Sequence, residues 1–239
     1  MLIATKAIVL SKLKYGDNDL IVKCYTQQKG VLSFMVKRVF KIGKASAKIA
    51  YFQPLSQLNL IIDFHEKRTL HTIKDIKTEN IYATLHTNVL KSAIVMFLSE
   101  VLVGVLNEEE PNEALYTYLE TALLWLDAQT EFANFHLLFL LNLTKYLGFY
   151  PDTEYIDYPF FNLEEGKFTL KETRKHTLKN EEITLLKTLL GMKFVALSKV
   201  KLNAKQRRSF LSIMLVYYEL HLGGLKTPKS LQIFNQLFN

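Results

Sequence analysis

Cysteine is nearly missing from this 239-residue chain, where Cys24 stands alone. A single thiol excludes an intrachain disulfide and any thiolate-rich zinc site. The cytosol is the default compartment for such a chain. Long apolar runs are missing too. The longest uncharged stretches are 49–62, with 14 residues, and 132–144, with 13, whereas a membrane-spanning helix needs about 20. The opening Met1-Leu-Ile-Ala-Thr-Lys breaks its apolar stretch at Lys6, with the following charges on the wrong side for a secretory signal. A soluble protein is expected.

Catalytic signatures are equally scarce. The six histidines (65, 71, 86, 136, 176 and 221) form no HxxxH or HExxH pair, so the spacing that puts two imidazoles on one metal is absent. His136 and His221 lie in apolar helical stretches and read as core residues. Gly223-Gly224-Leu225-Lys226-Thr227 lacks the GxxxxGK[ST] spacing of a phosphate loop and reads as a helix C-cap. Three consecutive carboxylates, Glu108 to Glu110, cannot converge on one ion from a helix and read as a solvated turn. Cys24 alternates inward on a strand and reads as core. No catalytic residue, metal ligand or cofactor is expected.

What is present is segregated charge. Residues 1–80 carry 14 Lys/Arg against 6 Asp/Glu, residues 81–165 carry 2 against 13, and residues 166–239 carry 14 against 4. The net charges are +8, −11 and +10, which make the +7 of the whole chain. Basic blocks flanking an acidic one suggest a polyanionic partner, with the acidic block limiting the attraction.

The first eighty residues alternate with a period of two. Leu58, Leu60, Ile62 and Phe64 alternate with Gln57, Asn59, Ile61 and Asp63; Leu32, Phe34 and Val36 follow Gly30; Leu20, Val22 and Cys24 do the same. Runs at 6–12 and 69–76 complete five short strands. Tyr15-Gly16-Asp17-Asn18-Asp19 is a tight turn, and the long link 40–53 follows the third strand. Five strands with the long connection after the third is an OB-fold layout; an SH3-like barrel is the competing reading. From about residue 80 the period becomes helical, with helices expected over 89–106, 113–128, 131–147, 180–190 and 204–222. Residues 152–177 read as an irregular hairpin around Gly166. The expected class is α+β: a five-stranded OB-fold barrel over 1–79, then an all-helical domain over 80–239 carrying the small insert at 152–177.

The basic residues give the candidate site. Lys37, Arg38, Lys41, Lys44 and Lys48 recur along one strand end and its following link, and Lys12, Lys14 and Lys23 extend them. Such loops flank the groove of an OB-fold that tracks a single strand, and each phosphate neutralised releases counterion. Tyr15, Phe40, Tyr51 and Phe52 lie among them. Stacking a base on an aromatic ring contributes about 1–3 kcal/mol. Tyr15, in the turn, is the stacking candidate, and Phe52 reads as a barrel plug. A second basic group, Lys199, Lys201, Lys205, Arg207 and Arg208, leads into the last long helix, whose buried face is expected to be Phe210, Ile213, Met214, Tyr217 and Leu220. It could take nucleic acid or an acidic peptide tail.

Ordered motifs then resemble one family. Ala7-Ile8-Val9-Leu10-Ser11 followed by Tyr15-Gly16-Asp17-Asn18-Asp19 is similar to the opening of the recombination mediator and DNA repair protein family RecO. Gly30, Gln53-Pro54, Ser99-Glu100-Val101-Leu102, Asn107-Glu108-Glu109-Glu110-Pro111-Asn112, Leu147-Gly148-Phe149-Tyr150-Pro151, Tyr218-Glu219-Leu220-His221-Leu222-Gly223 and Lys229-Ser230 follow in the family's order. The resemblance implies an N-terminal OB-fold, a helical C-terminal domain, and binding and annealing of single- and double-stranded DNA. It also implies partnership with RecR and with the acidic C-terminal tail of the single-stranded-DNA-binding protein, in the nucleoid. Many members carry a four-cysteine zinc module after the Gly-Tyr-x-Pro segment. Residues 152–176 here have no cysteine, so zinc is expected to be absent, with aromatic packing in its place. A protein-interaction adaptor that uses its helical domain, and an RNA-binding OB protein, are the alternative readings.

Overall fold

A computed structural model describes residues 1–40, 46–106, 110–173 and 175–238, and side chains at 46–48 lie outside that description. Five strands come first: β1 (Leu2–Tyr15), β2 (Asp19–Thr26), β3 (Gly30–Val36), β4 (Gln57–Asp63) and β5 (Thr72–Thr78), with a 3-10 turn at Ser46–Phe52 after β3. Their order is β3-β2-β1-β4-β5, every neighbour antiparallel. The two outer strands meet at a single parallel bridge, Phe34–His71, where the His71 carbonyl accepts from Met35 N–H at 3.0 Å and His71 N–H donates to the Ser33 carbonyl at 2.8 Å. The sheet therefore curls as an OB-fold does without closing through a continuous ladder.

Alternation builds the core. Ala7, Val9, Leu20, Val22, Cys24, Phe34, Leu58, Leu60 and Ile62 point inward and are buried. A bulge between Val9 and Ser11 shifts the parity of β1, so that Val9 pairs with Cys24 and Lys12 with Val22 on one face. β1 runs further at both ends than its apolar segment, because its first residues pair with β4 from Leu2 and its far half pairs with β2 alone as far as Tyr15.

Two compact units divide the chain: residues 1–128 with 228–234, and residues 129–227 with 235–239. The change from strand to helix period at residue 80 thus falls inside the first unit. That unit includes α1 (Val89–Val105) and α2 (Glu113–Ala128). They cover the outward side chains at one end of the sheet, where Tyr25 stacks on Tyr116 at 6.1 Å and its hydroxyl donates to the Asn112 carbonyl at 3.1 Å. Lys6 sits between Glu79 and Glu120, at 2.9 and 3.1 Å, and these bonds raise its ammonium above the usual lysine range. The Asp127 carboxylate accepts from the N–H groups of Ala83, Thr84 and Leu85 at 2.7–2.9 Å. Burial pushes that carboxyl up, but these backbone donors outweigh it and hold it below the usual range. The segment 228–234 joins this unit through Ser230, whose N–H and hydroxyl reach Glu100 at 3.0 and 3.1 Å, and through Phe234 stacked on Phe97 at 4.9 Å.

The second unit is built on α3 (Phe135–Tyr146), apolar nearly all round and buried over Phe135–Thr144. With it are α4 (Glu181–Leu189), a 3-10 turn at Phe194–Lys199 and α5 (Ala204–Leu222). Tyr218 of α5 donates its hydroxyl to the Leu140 carbonyl at 2.8 Å. His136 lies in this core as the sequence suggests, and burial beside Arg207 pushes its imidazole down to about 3, leaving it uncharged. The face α5 buries is Phe210, Leu211, Met214, Tyr217 and Tyr218; Leu220, expected inside, is exposed. A final helix, α6 (Leu231–Leu237), is absent from the sequence reading.

The hairpin region is a three-stranded sheet of β6 (Phe160–Asn162), β7 (Lys167–Thr169) and β8 (Thr177–Leu178), in the order β7-β6-β8. Aromatic rings pack it: Phe161 on Phe168 at 4.9 Å, and His221 flat on Phe149 at 5.1 Å and edge-on to Tyr217 at 4.4 Å. His221 Nε2 lies 2.9 Å from the Leu163 carbonyl, and Tyr217 donates to the Phe149 carbonyl at 2.8 Å. Gly166 sits at φ +65°, and a Cβ there would approach the Tyr217 hydroxyl to 2.9 Å. The four-thiolate zinc module that the resemblance implies does not fit this segment, because residues 152–176 contain no cysteine.

Candidate nucleic-acid interface

Two turns dock at one end of the curled sheet. Gly16, at φ +57°, opens the β1–β2 turn in a conformation that favours glycine. The Asn18 carbonyl of that turn accepts from Val39 N–H at 2.7 Å and Phe40 N–H at 3.3 Å, and Asp19 Oδ1 accepts from Arg38 N–H at 2.8 Å. The chain leaving β3 is thereby tied to the turn before β2. Arg38 holds φ +60°, a left-handed conformation rare for a residue with a side chain. Tyr15, Gly16, Asp17, Asn18, Asp19 and Arg38 line a shallow depression of about 360 Å³.

The structure brings Lys14, Tyr15, Lys37 and Arg38 to this end. Lys14 faces Leu20 across the ladder and Leu20 faces Val36, so Lys37 and Arg38 follow directly. All four side chains are exposed, Tyr15 at 54%. Among the described residues none of the three cations forms an ion pair; the neighbouring carboxylates are Asp17 and Asp19. Lys14 Nζ lies 5.4 Å from the centre of the Phe40 ring, which is 39% exposed. Phe40 is thus a second surface aromatic beside Tyr15, while Phe52 is buried in the barrel and Tyr51 packs partly against it. Lys12, also exposed, lies two residues before Lys14 on the same face of β1, pairing with Val22 as Lys14 does with Leu20, and desolvation lowers its ammonium. Lys41 and Lys44 lie outside the described residues, as does the side chain of Lys48.

The second basic group surrounds the start of α5. Asn203 and Gln206 form a reciprocal capping box there. Lys199, Lys201, Lys205 and Arg208 are exposed, Lys201 lying 3.6 Å from Glu131. Arg207 turns inward, donating to the carbonyls of Leu202 at 2.6 Å and Phe238 at 3.4 Å, and is a structural residue rather than a surface cation. Positive side chains at a helix N-terminus oppose its dipole, so an anion arriving there is favoured by both. Among the described residues no helix is long and apolar enough to cross a membrane.

Comparison with known proteins gives this geometry a family. Residues 1–82 match the family model for the Recombination protein O N terminal and residues 86–231 that for the C terminal. The chain is 48% identical over 239 residues to the DNA repair protein RecO of Flavobacterium johnsoniae, 45% over 238 residues to that of Christiangramia forsetii, and 36% over 242 residues to that of Phocaeicola vulgatus. Each match spans the whole of both chains. The two models leave only the linker and the last few residues unmatched, and this chain belongs to the RecO family.

Proposed function

We propose that this chain is a DNA repair and recombination mediator. It holds single- and double-stranded DNA at the basic end of its OB-fold, anneals complementary strands, and works with RecR to load recombinase onto DNA covered by the single-stranded-DNA-binding protein. One observation carries the reading: Lys14, Lys37 and Arg38 are exposed at one end of the sheet and form no ion pair among the described residues, at the same end as the exposed rings of Tyr15 and Phe40. Cations without internal partners are free to replace the counterions of a phosphate chain, and exposed rings accept unstacked bases. Annealing requires repulsion between two strands to be screened and their bases to be held open; it makes and breaks no covalent bond. The reading therefore assigns no enzymatic step.

The test is a salt titration of single-stranded DNA binding by the intact protein, repeated with Lys37→Glu/Arg38→Glu. The expected result is weaker binding with a flatter slope of log K against log salt, alongside slower annealing. Equal affinity and slope in both proteins would remove the site. A tighter grip on RNA than on DNA at matched salt would favour the RNA-binding alternative.

A second reading has its own observation. The exposed Lys199, Lys201, Lys205 and Arg208 at the start of α5 suit the acidic tail of the single-stranded-DNA-binding protein. An acidic tail peptide should bind the intact protein and lose affinity with Lys205→Glu/Arg208→Glu.

A further inference from the structure

An acidic turn of the helical part ends against the basic sheet. A cavity of about 450 Å³ has Lys23 of β2, Lys29 of the β2–β3 turn and Arg68 of the β4–β5 loop in its wall. Glu66 of the same loop and Glu110, from the turn between α1 and α2, stand in that wall too. Glu110 belongs to the negative block of the sequence, the other four to the first positive one.

The fold sets where Glu110 stands. Two residues on, the Asn112 side chain accepts from Leu115 N–H at 2.9 Å. The Asn112 carbonyl accepts from Tyr116 N–H at 2.9 Å and from the Tyr25 hydroxyl at 3.1 Å. Tyr25 is buried and stacks on Tyr116 at 6.1 Å. It stands two residues from Lys23 on β2, so both side chains share one face of the strand. Pro111, the one residue between Glu110 and this anchor, has its φ fixed by its ring. Glu108 and Glu109 lie outside the described residues.

Opposed charges so placed would ordinarily pair, and these do not. Among the described residues Lys23, Lys29, Arg68, Glu66 and Glu110 form no ion pair, whereas exposed Lys74, Lys167 and Lys179 each have a carboxylate within 3.6 Å. A sphere of 450 Å³ is about 9.5 Å across, so charges on facing walls act on one another within the Debye length of about 10 Å at 0.1 M salt. Exposed carboxylates without partners add little to stability. Their field falls instead on whatever enters the cavity.

We propose that Glu66 and Glu110 are internal competitors of DNA phosphate: they lower the positive potential at Lys23, Lys29 and Arg68, and so loosen the hold on a bound strand to a degree set by salt. This rests on the DNA-binding reading above and adds regulation of the same face. A phosphate on the cationic wall sits about 8 Å from a carboxylate on the other, and the screened repulsion lowers affinity about two- to fivefold per carboxylate at 0.1 M salt. Neutralising the pair should therefore tighten binding, where loss of a bracing or ligating carboxylate would loosen it.

The experiment compares the intact wild type with Glu66→Gln/Glu110→Gln, reading the anisotropy of a labelled oligothymidylate from 50 to 500 mM salt. The double variant should bind about 4- to 25-fold more tightly at 0.1 M salt and less than about threefold more tightly at 0.5 M, with a steeper slope of log K against log salt. Its urea midpoint should match the wild type. Equal affinity at every salt concentration, or weaker binding by the variant, would overturn the competition while leaving the Lys37–Arg38 site standing. A gain of the same size from Asp75→Asn, an exposed β5 carboxylate outside the cavity wall, would overturn it in favour of net charge alone. A lowered urea midpoint would overturn it by assigning the two carboxylates to the fold. Wild-type binding by Lys37→Glu/Arg38→Glu is a separate result, and defeats the DNA reading itself.

Discussion

Replacing Arg38 by glycine separates what that residue does for the fold from what it does for DNA. Its backbone sits at φ +60°, where an L side chain costs about 1–2 kcal/mol. Glycine removes that cost but loosens the unfolded chain by about 0.4–1 kcal/mol. The N–H that reaches Asp19 at 2.8 Å is kept. Arg38→Gly should therefore unfold in urea at the same free energy as the wild type or up to about 1.6 kcal/mol higher. Binding moves the other way. The exposed guanidinium has no ion-pair partner among the described residues, and losing one phosphate contact lowers the slope of log K against log salt by about 0.7 for a single strand. At 0.1 M salt that is about fivefold in affinity. Fluorescence anisotropy of a labelled oligonucleotide between 50 and 400 mM salt measures both. Arg38→Asn, which tolerates the left-handed conformation, should behave like the glycine variant. Affinity unmoved at every salt concentration would refute the reasoning, and so would a binding loss that only tracks a loss of stability.

Three further outcomes follow from the packing. Gly166→Ala puts a Cβ 2.9 Å from the Tyr217 hydroxyl at φ +65°, and should cost about 1–3 kcal/mol in urea unfolding; an unshifted midpoint would mean that the Phe149–Tyr217–His221 cluster gives way freely. His136 titrates near 6.5 when unfolded and near 3 when folded, so the unfolded chain binds its proton first and stability must fall as pH drops through that window. His136→Gln should show a shallower fall between pH 6.5 and 4, and parallel curves would disprove the assignment. Cys24 is fully buried, with its thiol pushed far above the ordinary range; it should resist thiol reagents until the barrel opens, at a rate that follows denaturant, and rapid labelling of the native protein would contradict the core placement.

Where local physics decides, the sequence was legible. The helices at Glu113–Ala128 and Ala204–Leu222 begin behind Asn112 and Asn203, whose side chains accept from the first turn and leave a sequence signature. The alternation around Leu58, Leu60 and Ile62 marks β4 because one face of that strand is dry. Length beyond the apolar segment was not legible in β1, since Lys12–Tyr15 are strand only through pairing with β2. Nor was α6, seven residues held by Phe234 on Phe97 rather than by helix propensity. At the site, the motif density of residues 14–19 and 37–38 pointed to one end of the sheet, but whether Phe40 plugs the barrel or faces solvent depends on two hydrogen bonds to the Asn18 carbonyl. Similarly, Arg207 reads as one more cation in its row until the Leu202 and Phe238 carbonyls claim it.

The return of residues 228–234 to the first unit bears on how the protein can be made and dissected. Neither unit is a continuous length of chain: the first is completed by a segment synthesised 100 residues after its residue 128, and the second ends with 235–239. At about 5–20 residues per second, the nascent sheet and its two helices wait about 5–20 s for Ser230 and Phe234 to arrive. A fragment cut after residue 128 would leave Phe97 and Glu100 facing water, so separating the DNA-binding half for study calls for grafting the late segment back through a linker.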